Sequence, residues 1–198
     1  MTPYSIIIPV KPIGIGKSRL RASITVADDL VIAIALDTIA AALTAAGSVL
    51  VVTDDTAITE AATALGASVT PDAPDAGLNA AIAHGESLLP PSSARAALTA
   101  DLPALRPADL AGALAAARGR SYVADHLGTG TTLLIAAPDV RLDPHFGPGS
   151  AAAHAASGAH SLHGAWPSLR LDVDTREDLD AARALGLGTR SAAALDRS

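Results

Sequence analysis

Both lysines of the chain, Lys11 and Lys17, lie in one segment, Pro9-Val10-Lys11-Pro12-Ile13-Gly14-Ile15-Gly16-Lys17-Ser18, with Arg19 and Arg21 just behind them. An aliphatic run leads into this segment, and a helix is expected to follow. In that context backbone N–H groups and an ammonium can together hold a polyphosphate. Neither familiar glycine fingerprint fits. A Walker loop needs glycine five residues before Gly16, where Lys11 stands, and a dinucleotide loop starting at Gly14 would put its third glycine at Arg19. What remains is a basic, glycine-containing strand-to-helix loop. The alternative is an ordinary turn, and the concentration of both lysines favours phosphate binding.

Acids supply the complementary chemistry. Asp101 ends the apolar run in Leu98-Thr99-Ala100-Asp101-Leu102-Pro103, where the proline stops continuation. In Leu169-Arg170-Leu171-Asp172-Val173-Asp174-Thr175 a strand would put Asp172 and Asp174 on one face. Two such carboxylates repel unless a cation, an arginine or a proton separates them. Mg²⁺ takes a few carboxylate oxygens together with substrate phosphates and water, which suits an acid pair facing a nucleotide. The competing reading is that Asp174-Thr175 only caps the helix carrying Glu177, Asp178 and Asp180.

Two small-residue segments suggest a second anion pocket, Gly128-Thr129-Gly130-Thr131-Thr132 and Phe146-Gly147-Pro148-Gly149-Ser150. Glycine lets the backbone approach an anion closely, and Ser150 is expected to cap the helix that starts at Ala151. Of the six histidines, His160 and His163 are three apart without a third ligand, and His154 is the one near a candidate site. No G-x-S-x-G elbow surrounds Ser150, which argues against hydrolase chemistry there.

These residues need a scaffold that gathers loops at one rim. Apolar strand-like runs alternate with Ala-rich helical stretches, the pattern of an α/β domain with a mainly parallel sheet and helices on both faces. Strands are expected over 4–10, 48–53, 96–100, 121–124, 132–137 and 169–173, and helices over 28–46, 56–65, 78–88, 107–117, 151–156 and 176–185. Ligands of such sheets bind outside the carboxyl ends of the strands, where Lys11, Asp54, Asp55, Asp101, Asp125 and Asp174 follow. The tail after Leu187 is small and polar, and some disorder is expected there.

The 198 residues, 49% of them hydrophobic, suit one domain spanning the chain. There is no cysteine, which excludes disulfides and thiolate metal sites. A net charge of −6 argues against a broad nucleic-acid surface. No apolar run of membrane-spanning length occurs, and Met1 to Tyr4 lacks the features of a signal peptide, so a cytoplasmic location away from membranes is expected.

Taken in order, Ile8-Pro9-Val10-Lys11-Pro12, Lys17-Ser18-Arg19-Leu20, Gly77-Leu78-Asn79-Ala80-Ala81, Ala100-Asp101-Leu102-Pro103, Gly128-Thr129-Gly130, Phe146 to Ser150 with His154, and Leu171 to Thr175 resemble the phosphoenolpyruvate/2-phospho-L-lactate guanylyltransferases. The resemblance covers nearly the whole chain. It implies a nucleotidyltransferase fold like that of nucleotide-diphospho-sugar transferases, with Mg²⁺ as cofactor and GTP over the first loop. It also implies transfer of GMP to the phosphate of phosphoenolpyruvate or 2-phospho-L-lactate in coenzyme F-420 biosynthesis, with release of pyrophosphate and a deazaflavin transferase downstream. On this reading Lys11 and Lys17 hold the triphosphate, Lys17 and Asp101 are catalytic, and Asn79 lies near the nucleoside. Asp101, Asp172 and Asp174 are the metal-side acids, and Thr132, Gly147 and Ser150 contact the acceptor. Gly14-Ile15-Gly16 departs from the bulkier stretch of relatives. The rival readings are a molybdopterin or sugar-phosphate acceptor on the same fold, and a GTP-binding module without turnover; Lys11 in the glycine position disfavours a P-loop kinase or GTPase.

The loop assignment generates a direct expectation. Lys17→Ala removes one charge from the triphosphate and should weaken GTP binding by ~1–3 kcal/mol. Calorimetric titration reads this, and unchanged affinity would return the loop to an ordinary turn.

Overall fold

A computed structural model describes residues 4–11, 28–73 and 75–197. The Lys17 assignment, with Ser18, Arg19 and Arg21, lies outside the described residues.

Ile6 and Ile8 on strand β1 (Tyr4–Pro9) enter one apolar cluster and Ile7 the opposite one, so the strand is covered on both faces. Helices α1 (Asp28–Ala45), α2 (Thr56–Ala64) and α4 (Pro107–Ala116) supply the larger cluster, whereas α3 (Leu78–Ser87) and α5 (Ser150–Ala156) cover the other face. The remaining strands are β2 (Ser48–Val52), β3 (Ser68–Thr70), β4 (Ala94–Leu98), β5 (Arg120–Ala124), β6 (Thr131–Ala136) and β7 (His160–Ser161). Among the described residues the sheet runs β3-β2-β1-β4-β6-β5-β7. β6 is antiparallel to both β4 and β5, and the other pairs are parallel.

This order fixes the rim. The connection order reverses between β1 and β4, and in open α/β sheets ligands settle in the crevice at such a point. Because β6 runs the opposite way, its first residues lie beside the last residues of β4 and β5. Val10 and Lys11, Thr99 to Asp101, Asp125 and Thr131 therefore share one end of the sheet.

Two expectations are corrected. Residues 169–173 are not a strand: α6 (Pro167–Arg170) opens with Pro167 at its first position, and an extended stretch follows. Leu169, Leu171 and Val173 are buried in alternation, so the period of two reported burial and not ladder pairing. The tail expected to be disordered forms α8 (Thr189–Leu195), which packs on α1. No side chain of its own caps α8. Instead Asp37 of α1 accepts from Arg190 N–H at 3.2 Å and Ser191 N–H at 2.7 Å.

The caps also differ in detail. Asp55 caps α2, and Gly149 rather than Ser150 holds the cap position of α5, with Ser150 as first helical residue. Helix α7 (Arg176–Leu185) is capped by Thr175 in a reciprocal pair with Asp178.

Asp37 is buried, so its loss would strand two amide donors at the α8 start. Asp37→Ala should lower unfolding free energy by ~2 kcal/mol. Urea denaturation should show a lowered midpoint, and an unchanged one would contradict this account of the docked tail.

Candidate functional site

Two clefts open on the rim and share a wall. The smaller, of about 310 Å³, is lined by Val10 and Lys11 just beyond β1, Ile34 from α1, and Thr99, Ala100 and Asp101 beyond β4, with Asp174 beside them. The larger, of about 870 Å³, extends past Asp125, Thr131, Gly147 and Ser150 to Asp172 and Asp178. Lys11, Leu78, Thr99 and Asp174 line both.

The acid pair is positioned by backbone bonds rather than by a sheet. Val173 N–H donates to the Asp101 carbonyl at 3.0 Å, drawing the 171–174 stretch against the loop after β4. That loop is pinned twice more. The buried Thr38 hydroxyl accepts from Leu102 N–H at 3.1 Å and donates to the Ile34 carbonyl at 3.0 Å, and Gly188 N–H donates to the Pro103 carbonyl at 2.7 Å. Burial of Leu171 and Val173 turns the alternate residues outward, so Asp172 and Asp174 both reach the larger cleft. The shared face expected from a strand survives without the strand. The competing reading, that Asp174-Thr175 caps the helix, is met at Thr175, which is the cap, while Asp174 N–H donates to Asp178 and Asp174 itself lines both clefts.

The other wall is a tied loop. Both oxygens of Asp125 accept backbone donors, Thr129 N–H at 2.9 Å and Gly130 N–H at 2.8 Å. A Cβ on Gly130 would stand 2.4 Å from that carboxylate, so the loop closes this tightly only around glycine. Thr129 passes the constraint on, its carbonyl accepting Ala151 N–H at 3.1 Å. The β5–β6 register slips here: Val123 faces Leu133 and Ala124 faces Thr131, leaving Thr132 as an extra residue. Thr132 is buried and does not line either cleft, whereas its neighbour Thr131 does. Gly147 and Ser150 line the larger cleft as expected, Gly147 with φ of 134°.

Asn79 turns out to serve this wall. Its amide donates to the Phe146 carbonyl at 3.0 Å and accepts Phe146 N–H at 2.7 Å, clamping the 146–150 segment to α3. His154 holds the same segment from below. It is fully buried, packed against the Phe146 ring at 5.1 Å, and its Nε2 accepts His145 N–H at 3.0 Å. An Nε2 that accepts carries no proton, so the neutral ring holds its hydrogen on Nδ1, which donates to Thr131 Oγ1 at 2.9 Å. Burial, reinforced by the positive fields of His145 and Arg120, pushes the His154 pKa down to about 4.

Lys11 is the one lysine or arginine among the described lining residues of the two clefts, set against Asp125, Asp172, Asp174 and Asp178 in the larger one. Among the described residues no three His, Asp or Glu side chains converge as a metal site. A divalent ion here would therefore take one or two carboxylates, Asp101 and Asp174 sharing the smaller cleft, and fill its remaining positions with substrate oxygens. Mg²⁺ characteristically binds in this way. His126, Thr99 and Asp178 are lining residues to which sequence reasoning gave no role, whereas Thr131 belongs to the 128–132 segment read there as part of an anion pocket. Of the three, the position of His126, next to an acid at the end of a strand, gave a signal.

The His154 environment implies a pH dependence of folding. Its folded pKa lies below the ordinary 6.5, so the unfolded chain binds the extra proton first, and the contribution present above pH 6.5 is lost as pH falls toward about 4. The loss amounts to at most ~3 kcal/mol. Urea titrations across that window should show the decline in wild type and a flatter profile in His154→Gln; parallel profiles would refute it.

The family model described as "Guanylyl transferase CofC like" matches residues 4–196. A phosphoenolpyruvate guanylyltransferase of Salinispora arenicola is 52% identical over 196 residues, covering 96% of this chain and 92% of that protein. One from Rhodococcus opacus is 61% identical over 103 residues, covering 50% of this chain and 43% of its own. Among solved structures, a putative nucleotide-diphospho-sugar transferase from Desulfovibrio desulfuricans superposes with a TM-score of 0.70 at 16% identity, over 100% of this chain and 95% of that one. A Mycobacterium tuberculosis protein in complex with manganese gives a TM-score of 0.53 at 21% identity, over 91% of this chain and 98% of that one. At those identities the structures establish the nucleotidyltransferase-type fold, and the family match together with the near full-length relative places this chain in the CofC-like guanylyltransferase family.

Proposed function

We propose that this guanylyltransferase transfers GMP from GTP to the phosphate of phosphoenolpyruvate, releasing pyrophosphate, as a step of coenzyme F-420 biosynthesis. The observation that carries the reading is the pair of clefts with a common wall of Lys11, Thr99 and Asp174. Two phosphorylated substrates held on either side of that wall can bring their reacting phosphates together. The named activity of the Salinispora arenicola relative supports the choice of acceptor.

In this scheme Lys11 meets the triphosphate, and Lys17 is assigned beside it. A phosphate oxygen of the acid attacks the α-phosphorus of GTP, and the bond to the bridging oxygen breaks, so that pyrophosphate leaves with the electron pair. Such transfers need charge neutralisation and in-line positioning more than a covalent catalyst. Bound Mg²⁺ would neutralise phosphate charge and orient the oxygens. Asp101 and Asp174 are assigned to hold it, with Asp172 beside them. The excess of carboxylates over cations among the described residues of the larger cleft supports this, because a polyanionic acceptor entering alone would meet like charge. Gly147 and Ser150 are assigned to the acceptor, approached through their backbone. The family resemblance also assigns Thr132 to the acceptor; it lies buried at the bulge with its carbonyl accepting Thr99 N–H, and its neighbour Thr131 is the residue that lines the cleft. Asn79 is reassigned from the nucleoside to fixing Phe146 in the acceptor wall.

The reaction is tested by pyrophosphate release with GTP or ATP against phosphoenolpyruvate, 2-phospho-L-lactate and sugar phosphates. Release with GTP and phosphoenolpyruvate is expected, and its absence with every acceptor would leave a binding module. Asp101→Asn should keep the fold and reduce turnover by roughly 10²–10³-fold, the scale of losing a group that acts on transition-state charge. A folded variant with near-normal turnover at limiting Mg²⁺ would remove Asp101 from the metal site.

A further inference from the structure

His126 stands between the two walls of the larger cleft, and neither the family resemblance nor the scheme above gives it a task. Its Nδ1 lies 3.6 Å from Asp172 Oδ1, and its Nε2 lies 3.6 Å from Asp178 Oδ1. The main chain fixes where the ring starts: His126 N–H donates to the Arg170 carbonyl at 2.8 Å, and the Arg170 guanidinium returns to the Ala124 carbonyl at 2.9 Å.

Asp178 is itself held in place. Its Oδ2 accepts Thr175 N–H at 2.8 Å, the Thr175 hydroxyl at 2.8 Å and Asp174 N–H at 3.1 Å, leaving Oδ1 on the His126 side. One edge of the imidazole thus faces a carboxylate anchored at the start of α7, and the other faces Asp172. The residue before it, Asp125, ties the 125–130 loop through Thr129 and Gly130. His126 is therefore a side chain through which the acceptor loop meets Asp172 and Asp178.

We propose that His126 is a positioning residue that orients the Asp172 carboxylate toward the cleft and couples the acceptor loop to the divalent-cation side of the site. The inference rests on the metal-dependent reading above. Groups that orient a metal-side ligand typically change metal affinity by ten- to a hundredfold when removed. A histidine serving only to fill the loop would change stability without touching affinity.

The test is titration of the purified chain with Mn²⁺ alone, followed by electron paramagnetic resonance, together with steady-state KM values for phosphoenolpyruvate and GTP. His126→Ala should raise the Mn²⁺ Kd roughly tenfold. It should also raise the KM for phosphoenolpyruvate while leaving that for GTP near the wild-type value. His126→Gln, which keeps a polar group at the same reach, should recover most of the affinity. In an Asp172→Asn background His126→Ala should add little further loss, because the two residues act as one unit. A folded His126→Ala protein with wild-type Mn²⁺ Kd and wild-type KM for phosphoenolpyruvate overturns the proposal while leaving the guanylyltransferase reading intact. A wild-type chain that neither binds Mn²⁺ nor releases pyrophosphate overturns both.

Discussion

The hydrogen bond from Val173 N–H to the Asp101 carbonyl joins parts of the chain that are distant in sequence, and the acidic side of the site depends on it. Without it the 171–174 stretch has no ladder to define its position, since it is not a strand. With it, Asp174 reaches the smaller cleft beside Asp101, and Asp172 is presented to the larger one. The other anchors of the Asp101 loop, Thr38 on Leu102 and Gly188 on Pro103, come from the long α1 helix and from the tail that packs on it. A loop held at three successive residues from three directions has little freedom. Carboxylates that share a cation, as proposed for Asp101 and Asp174, need that rigidity, because their mutual repulsion would otherwise spread them apart.

The opposite wall achieves rigidity by neutral means. His154 lies fully buried beneath the 145–150 segment with its charge suppressed, and it both donates and accepts in a fixed direction. A protonated ring there would lose the bond from His145 N–H, and the wall would lose its support from below. Asn79 supplies the second brace by exchanging two bonds with Phe146. Backbone, rather than charged side chains, is thus what faces the cleft around Gly147 and Ser150. This suits recognition of an anion in a space whose side-chain charge is already largely negative.

The two walls impose a division of labour. Lys11 offers positive charge on the wall common to both clefts, whereas the described carboxylates gather mainly in the larger one. A phosphorylated acid is drawn into such an environment only in company with a cation, so the charge pattern links acceptor binding to metal binding in the proposed reaction. The apolar layers on both faces of the sheet hold the strands that carry this rim.

Much of this was written locally in the chain. The alternation of aliphatic runs with Ala-rich stretches specified most of the strands and helices, because burial on both faces leaves a composition signal that needs no partner to be read. The loop residues Lys11, Asp101, Gly147 and Ser150 were legible for the same reason: each follows an apolar run or precedes a helix. What the sequence could not reveal depended on partners far along the chain. The tail looked disordered because its helix is capped by Asp37, 153 positions away. Residues 169–173 looked like a strand because alternation records which side is buried, while pairing requires a neighbour that tertiary structure did not provide. Asn79, His126 and Thr132 drew their roles from Phe146, from Asp172 and Asp178, and from a slip in the β5–β6 register, respectively. Local pattern therefore determined the elements and the rim that carries the chemistry, and only the folded chain decided which of the rim residues touch, because hydrogen bonds between distant segments have no period in the sequence.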